Sequence, residues 1–260
     1  MKLFWVDAFT ERVFSGNPAA VIPLETWLDE TVLQQIASEN GLSETAFFVR
    51  TGPQRFRLRW FTPTIEVDLC GHATLASAHV IFHELGELGS EIVFDSRSGP
   101  LVVRRSPGGK LELDFPARPA APAAAPATLL SGLGRAPQEV LLSAQSWLCL
   151  YPDAQTVAQL RPDFLALRQA NPGRVIVTAP GSDCDFVSRF FAPDAGILED
   201  PVTGSAHCTL APFWAQRLGK TTLTARQLSP RGGELWCGLA GERVRIAGSC
   251  VLYLRGDVLL

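Results

Sequence analysis

The sequence lacks the features that mark several large classes of protein. None of its 260 residues belong to an apolar run approaching the roughly 20 needed to cross a membrane as a helix. The opening stretch, Met1-Lys2-Leu3-Phe4-Trp5-Val6-Asp7, is interrupted by Asp7 before it reaches the length of a secretory signal core. The six cysteines, Cys70, Cys149, Cys184, Cys208, Cys237 and Cys250, are scattered and never spaced C-x-x-C, so they form neither a disulfide framework nor a zinc site. Reduced thiols in the cytoplasm are the expectation. Charge of one sign is also missing: 23 Lys and Arg stand against 26 Asp and Glu, a net charge of -3. There is no basic stripe and no basic amphipathic stretch, so neither nucleic acid nor a membrane surface is an expected partner. Without a Walker motif or a G-x-G-x-x-G, a nucleotide cofactor has no support.

What is present is ordinary globular composition, 47% hydrophobic and 19% charged, with enough chain to bury a core without disulfides or metal. Such a length admits one or two domains. The only low-complexity stretch is P-A-R-P-A-A-P-A-A-A-P-A at 116–127. Proline removes amide donors and fixes φ, so this stretch suits neither a helix interior nor a central strand. The expected organisation is an N-terminal domain over 1–116, an Ala/Pro linker over 117–128 and a C-terminal domain over 129–260.

An internal repeat spans that linker. Phe61-Thr62-Pro63 recurs as Phe191-Ala192-Pro193. Each is followed by a glycine that opens a small-residue stretch, Gly71-His72-Ala73-Thr74 and Gly204-Ser205-Ala206-His207. Each stretch runs into an apolar segment closed by Leu-Gly, at Leu85-Gly86 and Leu218-Gly219, and the two glycines lie 15 positions apart in both. Shared spacing and shared punctuation together indicate duplication. Segments 73–85 and 206–218 are apolar on nearly all sides and are expected to be helices wrapped by other structure, with Gly86 and Gly219 at their C′ positions. Pro212 is expected to kink or split the second. Strictly alternating Arg55–Trp60 and Lys110–Phe115 read as strands, as do 3–8, 45–50, 100–105, 174–178, 185–191, 243–247 and 250–254. Leu28, Val32, Leu33, Ile36 and Ala37 mark an amphipathic helix ending near Asn40-Gly41. The expected fold is α+β in two similar halves, each a curved sheet around one central helix.

Chemistry concentrates near the helix starts. A helix N-terminus exposes unpaired N–H groups and partial positive charge, and Gly-, Ser- and Thr-rich starts let a small carboxylate approach. Related by a pseudo-twofold axis, the two starts would face one cleft. Glu44, in Ser43-Glu44-Thr45-Ala46-Phe47-Phe48, opens an apolar strand. It is either an exposed strand-end residue or a buried carboxylate, costly unless paired or protonated and so suited to proton transfer. The second half has Arg174-Val175-Ile176-Val177 at the comparable place and no carboxylate. His72 either orients a substrate or bonds to helix-start backbone. Asp200, in Glu199-Asp200-Pro201, either orients a substrate amine or hydroxyl or forms a turn before proline. Cys70 abuts the first helix start, where a thiol pKa is lowered. Its counterpart before Gly204 is Thr203, so a two-thiol racemase pair is incomplete. His79-x-x-x-His83 places two imidazoles on one helix face but lacks the Glu that a zincin needs, and no metal is expected.

These motifs resemble the PhzF-like isomerase and epimerase family of phenazine biosynthesis. The resemblance rests on Val6-Asp7-Ala8-Phe9-Thr10, Gly16-Asn17-Pro18-Ala19-Ala20-Val21, Ser43-Glu44-Thr45-Ala46-Phe47, Phe61-Thr62-Pro63, Cys70-Gly71-His72-Ala73-Thr74, Phe190-Phe191-Ala192-Pro193 and Glu199–Ala206, in order along the whole chain. It implies the diaminopimelate epimerase-like fold, two domains with the active site between them and a last strand that returns to the first domain. It further implies a cofactor-free homodimer that moves a proton between carbons of a carboxylate-bearing substrate, as the family's characterised branch does on trans-2,3-dihydro-3-hydroxyanthranilate. By the same resemblance Glu44 is the acid/base, His72 and Asp200 bind and orient substrate, and Gly71, Gly204 and Ser205 hold its carboxylate and nearby polar groups. Ser43 is a further substrate contact, and Arg231-Gly232-Gly233 lines the same cleft. The alternatives are a racemase working through Cys70 and a small-anion-binding protein without turnover.

Overall fold

The computed structural model describes all 260 residues and divides into two compact units, Met1–Asp114 with Ala247–Leu260, and Phe115–Ile246. The class is mixed α+β.

In the first unit the order is β1 (Lys2–Ala8), β2 (Asn17–Leu24), α1 (Glu30–Asn40), β3 (Glu44–Gly52), β4 (Arg55–Phe61), β5 (Glu66–Val67), α2 (Gly71–His79), β6 (Glu91–Ser96), β7 (Gly99–Arg105) and β8 (Leu111–Pro116). The period-2 pattern of β4 sends Phe56, Leu58 and Trp60 into the core and Arg55 and Arg57 to solvent. Helix α1 starts where the Asp29 carboxylate accepts from the Thr31 N–H and stops at Gly41, whose φ of 61° suits glycine. Its Leu33, Ile36 and Ala37 pack on Ile22, Phe47 and Phe61. Strand β2 runs parallel to β3, which explains the α1 crossover, and β3 pairs antiparallel with β4. β4 also runs parallel to β6, and β6–β7–β8 is an antiparallel meander.

Helix α2 is the centre of this unit: His72 through Ala78 are all buried. It differs from the expected 73–85. It begins two residues earlier and, after His79, continues as a π-helical turn over Val80–Glu84, in which the Leu85 N–H donates to Val80. The wider turn rotates the apolar stripe, so Leu85 lies exposed. The hydroxyls of Thr74 and Ser77 donate back to the Cys70 and Ala73 carbonyls.

The second unit repeats this order. It contains β9 (Ala121–Pro122), α3 (Ala127–Leu133), β10 (Glu139–Leu142), β11 (Trp147–Leu150), α4 (Ala154–Gln159), α5 (Phe164–Gln169), β12 (Val175–Pro180), β13 (Phe186–Ala192), β14 (Ile197–Asp200), α6 (Gly204–Leu218), β15 (Thr222–Gln227), β16 (Gly233–Ala240) and β17 (Arg243–Gly248). β10–β11 is antiparallel like β1–β2, and β11 runs parallel to β12 as β2 does to β3. β12–β13 is antiparallel, β13 runs parallel to β15, and β15–β16 is antiparallel, matching β3–β4, β4–β6 and β6–β7. The Ala/Pro stretch is built into this unit: Ala121 and Pro122 pair with Leu142 and Leu141 at a short strand.

Helix α6 is continuous through Pro212 rather than split. Proline there leaves the Cys208 carbonyl without its usual i+4 donor. The Arg118 backbone N–H fills the gap at 2.9 Å. Finally β18 (Cys250–Asp257) pairs antiparallel with β1 in the first unit.

Candidate functional site

In the first unit the sheet and the central helix bring three sequence-predicted residues together. Glu44 is the first residue of β3, three positions after the Gly41 cap that ends α1. His72 is the second residue of α2, and Cys70 is its N-cap. Glu44 is 8% exposed and His72 5%, so the exposed-strand-end reading of Glu44 does not hold. Nε2 of His72 lies 3.1 Å from Oε2 of Glu44, yet that oxygen is sealed from solvent and accepts no properly directed hydrogen bond. The other ring nitrogen, Nδ1, is 3.1 Å from Asn17 Nδ2 and 3.5 Å from Cys70 Sγ. Ser43 and Gly71 flank the group and are half-buried.

Electrostatics assign the charges. Burial works against a proton on His72, but the Cys70 sulfur and the Glu44 carboxylate outweigh it and hold the imidazole pKa well above its usual value. Cys70 behaves oppositely to the expectation from its helix start. Burial first, and the Glu44 charge second, push its thiol up to about 11, because a desolvated N-cap beside a carboxylate disfavours a second negative charge more than the helix end favours it. At neutral pH Cys70 is therefore a thiol, and Glu44 is the neighbour left to favour a proton on His72.

Asn17 was not singled out as a site residue. Its only signal is its place in Gly16-Asn17-Pro18, where β2 begins beside the helix start. Glu44, Cys70 and His72 also place an oxygen, a sulfur and a nitrogen within 4.8 Å of one another, the donor types that a transition metal takes. His79 and His83 stack with ring centroids 4.7 Å apart but join no third donor. Burial, then the His83 charge, lower the His79 pKa to about 4.

In the second unit the structure gathers Asp200, Thr203, Gly204 and Gln227. Thr203 Oγ1 donates to Asp200 Oδ2 at 2.5 Å. The buried Gln227 amide ties the turn: its Oε1 accepts from the Thr203 N–H at 2.8 Å and its Nε2 donates to the Asp200 carbonyl at 2.7 Å. Sequence reasoning missed Gln227, which sits at the end of β15 without a local motif. Gly204 is buried and Ser205 is exposed at the start of α6. Glu199 has a structural role, in a two-pronged ion pair with Arg189 at 2.7 and 2.9 Å. Arg231 lies half-buried between β15 and β16.

The fold is the diaminopimelate epimerase-like one. A probable proline racemase from Agrobacterium radiobacter, solved with bound carbonate, superposes with a TM-score of 0.64 at 13% identity, covering 100% of this chain and 93% of that one, a likeness of fold alone. More specifically, the family model described as phenazine biosynthesis-like protein matches residues 6–256, and the chain belongs to that PhzF-like family. An uncharacterized isomerase of Pseudomonas aeruginosa is 54% identical over 260 residues, 100% of this chain and 99% of that protein. A PhzF-family protein of Enterococcus faecalis has a crystal structure that superposes with a TM-score of 0.96 at 47% identity, over 100% and 99% of the two chains.

Proposed function

We propose that this chain is a cofactor-independent isomerase in which Glu44 moves a proton on a small carboxylate-bearing substrate. The observation that carries the reading is the buried Glu44 carboxylate beside His72 at the start of the central helix, a proton acceptor held out of bulk water next to helix-start N–H groups. The Glu44 carboxylate takes a proton from a carbon alpha or vinylogous to the substrate carboxylate and becomes a carboxylic acid. The electron pair left on carbon delocalises toward the substrate carboxylate, where helix-start N–H groups oppose the growing charge. The proton on the carboxylic acid exchanges with solvent during turnover, and Glu44 then delivers a proton to a different carbon and is a carboxylate again. His72, 3.1 Å away, orients the Glu44 carboxylate. Asp200, Gly204 and Ser205 of the second unit are assigned to substrate binding on the family resemblance.

A racemase reading through Cys70 requires a thiolate, and a thiol pushed up to about 11 is protonated at neutral pH. The test is solvent deuterium exchange into a cyclic hydroxy- or amino-carboxylate that binds. Glu44→Gln is expected to abolish exchange while ligand binding persists. Full exchange in that variant overturns the assignment.

A further inference from the structure

The duplicated topology allows the two units to be compared rung by rung. Thr45 pairs with Phe61 in the first, and Val175 with Phe191 in the second. Phe61-Thr62-Pro63 and Phe191-Ala192-Pro193 are the repeated motif, so Thr45 corresponds to Val175 and Glu44 to Arg174. Where the first unit sets a carboxylate beside the start of its central helix, the second sets a guanidinium.

That guanidinium lines a pocket contained within the second unit. Arg118, Arg174, Ser143, Ser146, Ser205 and Thr209 contribute its polar wall, and no acidic side chain lines it. Arg118 is delivered by the fold itself, through the backbone bond to Cys208 that Pro212 makes necessary. Its side chain donates only to the exposed Gln145 amide, at 2.5 Å. Arg174 holds Asp194 loosely, 3.7 Å away. The hydroxyls are the second observation. On α2 the buried Thr74 and Ser77 hydroxyls satisfy themselves on i−4 carbonyls. On α6 Thr209 is 2% exposed and Ser205, one turn earlier, is exposed, and both line the pocket instead of repeating that buried pair.

We infer that this pocket is an anion-binding site for a small, multiply charged oxyanion, a phosphate or a dicarboxylate. Two guanidiniums offer forked N–H donors matched to such groups, and the Ser205 and Thr209 hydroxyls bond the remaining oxygens. The second copy of the unit thus carries anion recognition where the first carries a carboxylate. The site shares Ser205 with the proposed substrate-binding group and to that extent rests on that reading, but it does not use Glu44.

The experiment is calorimetric titration of the full chain with inorganic phosphate and, separately, malonate at low chloride. Saturable binding of one of them at one site per chain is expected. The double variant Arg118→Met/Arg174→Gln should weaken it by about 100-fold or more, since each charge-assisted bond is lost. Arg174→Lys keeps the charge without the fork and should weaken it by about 10-fold, a check that does not rely on the double variant folding. Glu44→Gln should leave binding unchanged, which separates failure of this site from failure of the isomerase assignment. Preference for phosphate assigns the ligand to phosphate esters, and preference for malonate to dicarboxylates. Absence of saturable binding by either, or binding indifferent to both arginine variants, overturns the inference.

Discussion

The pair formed by Glu44 and His72 makes a quantitative prediction. At 3.1 Å, and with the effective dielectric of about 20 that suits protein sites, the gross attraction between a carboxylate and an imidazolium is ~5 kcal/mol. Both groups are buried, so much of that offsets desolvation. Removing one partner leaves the other charge uncompensated. His72→Leu should therefore cost about 3–5 kcal/mol, while Glu44→Leu should cost less because His72 can shed its proton. With leucine at both positions no buried charge remains, so the double variant should fall short of the sum by about 2–3 kcal/mol. The sign with pH follows from the raised His72 pKa. Its contribution is complete below the ordinary value of 6.5 and is lost as pH rises through the raised one. Urea unfolding of the four proteins near pH 6, repeated at rising pH, measures this coupling. Additivity within ~0.5 kcal/mol near pH 6, or a coupling that grows with pH, would refute the ion pair.

Three further outcomes follow from the same structure. Cys70→Ala should retain most proton exchange and Cys70 should resist iodoacetamide near neutral pH; a loss of exchange as deep as that of Glu44→Gln would restore the thiol as the base. Arg189→Met strips the donors from Glu199 and from the Val157 and Leu160 carbonyls, and should lower Tm by about 10 °C in a thermal melt. Gly248→Ala places a Cβ 2.4 Å from Phe9 Cδ1, and since Phe9 and Leu75 are fully enclosed, denaturant unfolding should show a loss of about 1–3 kcal/mol.

Much of the fold was legible because its signals are local. The alternation of Arg55–Trp60, the Gly41 and Gly219 caps and the apolar helices each report their own residues. Strand β2 was not read, because Asn-Pro-Ala-Ala-Val-Ile-Pro-Leu has prolines in it and is buried on both faces, with no alternation. The strands β10 and β11 are four residues each, too short for periodicity to speak. The continuity of α6 was hidden for a different reason: the donor that satisfies Cys208 is Arg118, ninety positions away in the chain. In the site, Glu44 and His72 were legible through their motifs. Asn17 and Gln227 were not, because their importance comes from register and side-chain reach rather than from neighbours in sequence.

The comparison of the two units also explains why the sites diverged while the architecture did not. Ladder rungs and helix faces bear the core, so a substitution there costs packing free energy. Neither Cys70 nor Thr203 caps its helix through its side chain, so stability places little constraint on these positions. One copy put a buried carboxylate beside its imidazole, and the other put guanidiniums and hydroxyl side chains around a pocket. Two thiols would have made the copies chemically alike. With Thr203 bonded to Asp200 and Cys70 held as a thiol, the two helix starts do not offer a matched pair of thiolate bases, which is why the proposed function rests on the single carboxylate of the first copy.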